Sequence, residues 1–108
     1  MRLRLLAPLV VLLVATAAPV YANPALDLDG STIPSLQHLM DRGRLTAVAL
    51  TEKYLGRIRA VDPKINSVII LDPTALAQAK ASDRRRHDGK PRGPLDGIPV
   101  LLKDNVDT

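Results

Sequence analysis

The residues best suited to chemistry lie in segment 93–105, which reads Gly-Pro-Leu-Asp-Gly-Ile-Pro-Val-Leu-Leu-Lys-Asp-Asn. Its apolar run, Ile98–Leu102, favours a strand covered on both faces, although a buried helical turn has the same pattern. Lys103 follows this run directly. An ammonium group at the end of a buried strand is unfavourable unless it is paired, reaches water or loses its proton. These residue types predict either a strand-end lysine whose head reaches solvent or a deprotonated lysine that acts as a base.

The whole segment Gly93–Thr108 closely resembles the first catalytic block of the amidase signature family. In that family the lysine of this block belongs to a Ser–cis-Ser–Lys triad, so the resemblance implies that Lys103 is the catalytic lysine. The two serines of the family lie in a Gly/Ser-rich stretch further along the chain. The serines of this sequence all precede the block, and none lies in a Gly-Ser-Ser-Gly context: Ser31, Ser35, Ser67 and Ser82. The resemblance thus predicts that residues 31–108 are the N-terminal part of an amidase domain, truncated before the serine-containing loop and inactive alone.

The resemblance also implies a reaction: a small-molecule or peptide amide is hydrolysed to an acid and ammonia through an acyl-enzyme. An ordinary lysine has a pKa of about 10.4, and desolvation lowers the pKa of a buried lysine, which makes it a base. Neutral Lys103 would accept a proton from the bridging cis-serine, which would accept one from the nucleophilic serine, while backbone N–H groups stabilise the oxyanion. No metal or organic cofactor is implied. Because a neighbouring carboxylate would favour the protonated lysine, we expect Asp104 to point away from it.

Two other functional classes remain open. One is a short exported, non-catalytic helical module that acts by binding, and the other is an amidase-like scaffold that has lost its serines. Both are distinguished from an amidase by whether two serines in a Gly/Ser-rich loop follow in frame. The family also includes the amidotransferase subunit that acts on mischarged transfer RNA, but a signal peptide argues against that cytosolic task.

Residues 1–22 have the pattern of a secretory signal peptide. Arg2 and Arg4 form the positive n-region, Leu5–Ala18 is apolar, and Val20-Tyr21-Ala22 is a small-x-small cleavage site. The apolar run is short for a membrane-spanning helix, which needs about 20 residues, although an uncleaved anchor is the alternative. The sequence therefore predicts a secreted or periplasmic protein that begins at Asn23 and meets the membrane only during export. Residues 23–30 are predicted to be a polar linker.

The composition excludes several functional classes. The net charge is +4, and removal of the two signal-peptide arginines leaves 13 basic against 11 acidic residues, an ordinary surface that does not predict nucleic-acid binding. There is no cysteine, which excludes disulfides, a thiolate nucleophile and cysteine metal sites. Two tyrosines are the only aromatic residues, so we expect a thin core whose packing partners lie elsewhere.

Three helices are predicted to precede the block. The first has Ser31 or Thr32 as its N-cap and ends at Gly43; the second runs from Thr46 to about Val61 and is stopped by Asp62-Pro63. These two form an αα-hairpin, which lacks the cluster of base-reading residues expected of a DNA-binding helix-turn-helix. The third begins at Asp72-Pro73 and ends at Gly89.

A short β-branched run, Val68–Leu71, predicts a strand between the second and third helices. The predicted fold class is therefore α/β, of the amidase-signature type, with an N-terminal helical segment and the first strands of a mixed sheet. Arg84-Arg85-Arg86 is interpreted as a solvated helix end, with a polyanion or lipid-headgroup patch as the alternative. His38 and His87 are interpreted as exposed or hydrogen-bonded helix residues.

Overall fold

The computed structural model describes residues 26–106. The predicted signal peptide, the mature start at Asn23 and the first residues of the linker lie outside these residues. The described chain contains three helices, α1 (Ile33–Asp41), α2 (Ala47–Ile65) and α3 (Ala75–His87). None of the three combines the length and the apolarity needed to cross a membrane.

No strand forms among residues 26–106, so the two strands predicted at 68–71 and 98–102 are not confirmed in this part of the chain. Both segments are extended or irregular and expose most of their apolar side chains; Ile69 and Ile70 are each 82% exposed, whereas Ile98 packs partly against the core. A strand requires a neighbouring strand to complete its ladder of backbone hydrogen bonds, and the described residues supply none. Residues 26–106 therefore contain helices of the predicted α/β fold but no strand of its sheet.

Helix α1 begins and ends at the predicted signals. The Thr32 hydroxyl accepts a hydrogen bond from the Ser35 N–H at 3.3 Å, and the Ser35 hydroxyl accepts one from the Thr32 N–H at 2.9 Å, which forms a reciprocal capping box. Pro34 lies in the first turn, where its missing N–H has no intrahelical partner to lose. After the last turn Gly43 adopts a φ of +66°, and the Arg44 N–H bonds to the Leu39 carbonyl at 2.9 Å.

The N-terminus of α2 is capped from two sides. The Thr46 hydroxyl accepts the Ala49 N–H at 3.0 Å, as its sequence position predicts. The carboxylate of Asp83, which belongs to α3, accepts the Ala47 N–H at 2.7 Å and the Val48 N–H at 3.2 Å. Three of the four N–H groups that a helix leaves without intrahelical partners are therefore satisfied. The cap supplied by Asp83 joins two helices and was not predicted.

The C-terminus of α2 corrects the prediction that Asp62-Pro63 stops the helix. The helix continues past Val61 to Ile65 with Pro63 inside it. A proline inside a helix lacks one backbone hydrogen bond and crowds the carbonyl four residues before it, which bends or breaks many helices, but α2 accommodates Pro63 in its last turn. Asn66 then ends the helix in the left-handed conformation, with a φ of +49°, and its N–H bonds to the Asp62 carbonyl at 2.7 Å.

Helix α3 begins two residues later than its proline suggests. The Asp72 carboxylate accepts the Thr74 N–H at 2.7 Å and forms a turn before the helix, and Ala75 is the first helical residue. The helix ends as predicted: Gly89 has a φ of +68° and the Lys90 N–H bonds to the Arg85 carbonyl at 2.8 Å.

A small apolar core joins the three helices. It contains no aromatic side chain among its fully buried members, in keeping with the thin core expected from the composition. Leu50 of α2 lies at its centre and is 0% exposed. The buried apolar residues are Leu36, Met40, Leu45, Ala47, Leu50 and Ala79.

Candidate active site

The segment that leads to Lys103 is seated directly on the core. Gly97 adopts a φ of +86°, which favours glycine. A Cβ atom added at Gly97 would lie 2.9 Å from the Ser82 hydroxyl oxygen and 3.0 Å from the Cβ of Ala47. The backbone thus approaches α2 and α3 too closely for any side chain. This contact fixes segment 93–98 against the helices.

A buried ion pair holds the same segment to α3. The Asp96 side chain is 3% exposed, and its carboxylate accepts hydrogen bonds from Arg85 Nε at 3.0 Å and from Arg85 Nη2 at 2.5 Å. The Arg92 N–H donates a third hydrogen bond to it at 2.8 Å. The Arg85 guanidinium, in the main, holds the pKa of the Asp96 carboxyl well below its usual range. The carboxylate is therefore charged at any physiological pH.

Gln37 and Arg86 hold the backbone of the segment. Gln37 Nε2 donates to the carbonyls of Pro94 at 2.7 Å and Asp96 at 3.1 Å. Arg86 Nη2 donates to Gln37 Oε1 at 2.5 Å and to the Asp96 carbonyl at 3.1 Å, and Arg86 Nη1 pairs with Asp41. The interpretation of the arginine run as a solvated helix end is therefore wrong for two of its three members. Arg85 and Arg86 bind the segment, and Arg84 is exposed.

Beyond this attachment the chain runs along a large apolar cleft of about 1560 Å³. Residues of α2, of α3 and of segments 68–71 and 98–102 line the cleft. Leu101 is 75% exposed and Leu102 is 61% exposed on its wall. Lys103 lines the cleft at the end of this run.

Lys103 is exposed in the described structure rather than buried. Its side chain is 77% exposed, and its Nζ lies 3.8 Å from Asp104 Oδ1. The expectation that Asp104 points away from Lys103 is thus wrong here. The pair is weak, because both groups are solvated. No hydrogen bond joins Lys103 to a serine within residues 26–106, and the burial expected of a basic lysine requires cover that these residues do not provide.

Sequence reasoning missed the residues that hold the segment. The one available signal was the charge of Asp96, which lies within an otherwise apolar stretch ten to eleven residues after two arginines. In the described part of the chain, no group of three or more histidine and carboxylate residues could hold a metal ion.

Comparisons with known proteins agree on one family. The family model named Amidase matches residues 49–108. A glutamyl-tRNA(Gln) amidotransferase subunit of Chloroflexus aurantiacus is 45% identical over 83 residues, which cover 76% of this chain and 17% of that protein. The corresponding subunit of Streptomyces coelicolor is 51% identical over 63 residues, covering 57% and 13%.

A solved structure is similar in both sequence and shape. It is the peptide amidase PAM in complex with the competitive inhibitor chymostatin, and it has a TM-score of 0.72 and 46% identity over 74% of this chain and 17% of that one. The chain therefore spans about a sixth of the length of the relatives that it matches. The family model, the two amidotransferase subunits and the structural neighbour establish that this chain belongs to the amidase signature family.

Proposed function

We propose that the full-length protein is an exported serine amidase of the Ser–cis-Ser–Lys type, and that Lys103 is the general base. It would hydrolyse a carboxylic amide, such as a peptide amide, to an acid and ammonia. The observation that carries the proposal is the position of Lys103: it ends the apolar run of the catalytic block, within the matched range 49–108, and lines the cleft.

The proposed reaction balances without a cofactor. The hydroxyl oxygen of the nucleophilic serine attacks the amide carbon while its proton passes through the bridging serine to Lys103 Nζ. The tetrahedral intermediate, stabilised by backbone N–H groups, collapses with cleavage of the C–N bond, and the returned proton leaves with ammonia. Water then attacks the acyl-serine ester and releases the acid. Both serines lie outside the described residues.

Sequence identity does not separate hydrolysis from nitrogen transfer, because this chain is equally similar to the peptide amidase and to the amidotransferase protein. The pattern of residues 1–22 supports the hydrolase, since an exported protein has no access to charged transfer RNA. A mixed sheet, which would complete the α/β fold and cover the exposed segments 68–71 and 98–102, belongs to the same proposal.

The activity is tested with the full-length protein and an N-acetylated dipeptide amide as the probe. We expect equal amounts of ammonia and peptide acid, and labelling of one serine by a fluorophosphonate that abolishes the reaction. A protein that neither releases ammonia nor accepts the label would instead be the binding module or the degenerate scaffold. Nitrogen transfer to glutamyl-tRNA without free ammonia would favour the amidotransferase.

Export is tested by the intact mass of the protein recovered outside the cytoplasm. We expect an N-terminus at Asn23, because Val20 and Ala22 provide the small residues that the cleavage site requires. The control is Ala22→Leu, which places a large residue next to the scissile bond and should leave the precursor uncleaved. Retention of the wild-type protein in the cytoplasm with residues 1–22 attached would contradict export.

A further inference from the structure

Residues 93–98 are the last part of the chain before Lys103 that is hydrogen-bonded to the helices. Within this stretch the Asp96 N–H bonds to the Gly93 carbonyl at 3.1 Å and the Ile98 N–H bonds to the Leu95 carbonyl at 3.0 Å. Within the described residues, Pro99 to Leu102 form no hydrogen bond to the helices, whereas Pro94 and Asp96 do. In this part of the chain, the position of Lys103 therefore depends on where, and at what angle, the chain leaves the helices.

A small change in the direction in which the chain leaves segment 93–98 would move Lys103 by a larger distance. Lys103 lies five positions after Ile98, so an extended chain spans at most about 17 Å between them. A rotation of about 5° at the attachment would move the far end of such a segment by roughly 1.5 Å. Misplacement of a catalytic group by about 1 Å can lower a rate by about 10²-fold. Contacts that fix the direction in which the chain leaves the helices would therefore raise the rate by holding Lys103 in place.

The contacts of Asp96 are suited to fixing an angle. Two parallel hydrogen bonds from a planar guanidinium set both the distance and the orientation of a carboxylate, whereas a single contact sets only the distance. The Asp96 side chain takes both from Arg85, and its backbone carbonyl is held by Gln37 and Arg86. Side chain and main chain of one residue are therefore fixed by two helices, α1 and α3.

We infer that the Arg85–Asp96 ion pair, supported by Gln37 and Arg86, is a positioning device that sets the placement of Lys103. The inference rests on the proposed function for the role of Lys103, and on the contacts of segment 93–98 for the attachment itself. Arg85 and Asp96 are positioning residues, because neither is part of the proposed triad.

The test uses Asp96→Asn and Arg85→Lys in the full-length enzyme, with the N-acetylated dipeptide amide as substrate. Asparagine keeps the size of the side chain and removes its charge, and lysine keeps the charge and removes the paired geometry. For each variant we expect kcat per folded molecule to fall by about 10²-fold with little change in KM, because the loss affects the transition state. Backbone hydrogen exchange of residues 98–106 should become faster.

Asp29→Asn is the matched control. It breaks another aspartate–arginine pair, Arg57 Nη1 to Asp29 Oδ1 at 2.6 Å, whose side chains are 48% and 78% exposed and which does not contact segment 93–98. Kinetics and exchange should both remain as in the wild type. Thermal unfolding of every variant gives the fraction of folded molecules at the assay temperature. A fall in kcat per folded molecule is thereby distinguished from a loss of folded protein.

Two results would overturn the inference. One is an Asp96→Asn enzyme that is less stable but has wild-type kcat per folded molecule. The other is unchanged exchange of residues 98–106, whatever the activity. If the wild type releases no ammonia but exchange increases in Asp96→Asn, the proposed function is wrong while the attachment is supported, so the two failures are distinguishable.

Discussion

Replacement of Lys103 by methionine in the full-length protein is expected to lower kcat for amide hydrolysis by about 10³- to 10⁴-fold. Methionine keeps the length of the side chain and removes the amine that would take the serine proton, and a positioned general base contributes up to about 10⁴-fold. KM should change little, because the lost interaction belongs to the transition state. Steady-state kinetics with the N-acetylated dipeptide amide provide the measurement.

Two further variants test whether the residue at position 103 acts as a base and whether the effect is specific to that position. Lys103→Arg places a permanent positive charge at this position, and an arginine does not release its proton, so this variant should be as inactive as the methionine variant. If the Lys103→Arg variant hydrolyses the amide, the residue at position 103 acts as a cation rather than as a base. Lys80→Met, at an exposed position of α3, is the matched control and should retain wild-type kinetics. An active Lys103→Met enzyme would exclude the proposed triad.

Gly97→Ala is expected to lower the free energy of unfolding by about 2–4 kcal/mol. A side chain at a φ of +86° is strained, and the added methyl group would lie 3.0 Å from the Cβ of Ala47, which no side-chain rotation can move. Urea unfolding monitored by circular dichroism measures the change. The loss combines a backbone and a packing contribution.

Two other glycines separate these contributions. Gly43→Ala has a similar φ, +66°, but a Cβ there would meet no atom within 4 Å, so we expect a loss of only about 1 kcal/mol. Gly56→Ala lies within α2 with its nearest neighbour 3.9 Å away, and should stabilise the helix by about 0.5–1 kcal/mol. Equal losses for Gly97→Ala and Gly43→Ala would argue against close packing of segment 93–98.

The features that sequence reasoning located depend on residues close together in the chain. Thr32 and Thr46 cap the helices that follow them, and Gly43 and Gly89 adopt the left-handed conformation that ends a helix. Each of these signals acts within one turn and is unaffected by the rest of the fold. Pro63 was misinterpreted because a proline does not always end a helix: its missing N–H and the crowding of the carbonyl four residues earlier can be accommodated, and the residue itself does not reveal whether they are.

The candidate site was predicted only in part because its contacts are not local. The block and Lys103 could be located from residue types and from the family resemblance. The pairing of Arg85 with Asp96 could not, since three arginines in a helix end are usually solvated and the isolated charge of Asp96 does not identify its partner. The predicted strands depend in the same way on neighbours that residues 26–106 do not include.

The cap that Asp83 places on α2 has a consequence for the order of folding. Its partner Ala47 lies 36 residues earlier in the chain, so two N–H groups in the first turn of α2 gain this partner only when α3 has docked. Because that contact requires closure of a long loop, α2 gains its full stability late, and together with α3 rather than before it. We therefore expect the two helices to open and close as one cooperative unit, together with segment 93–98, which is bound to α3.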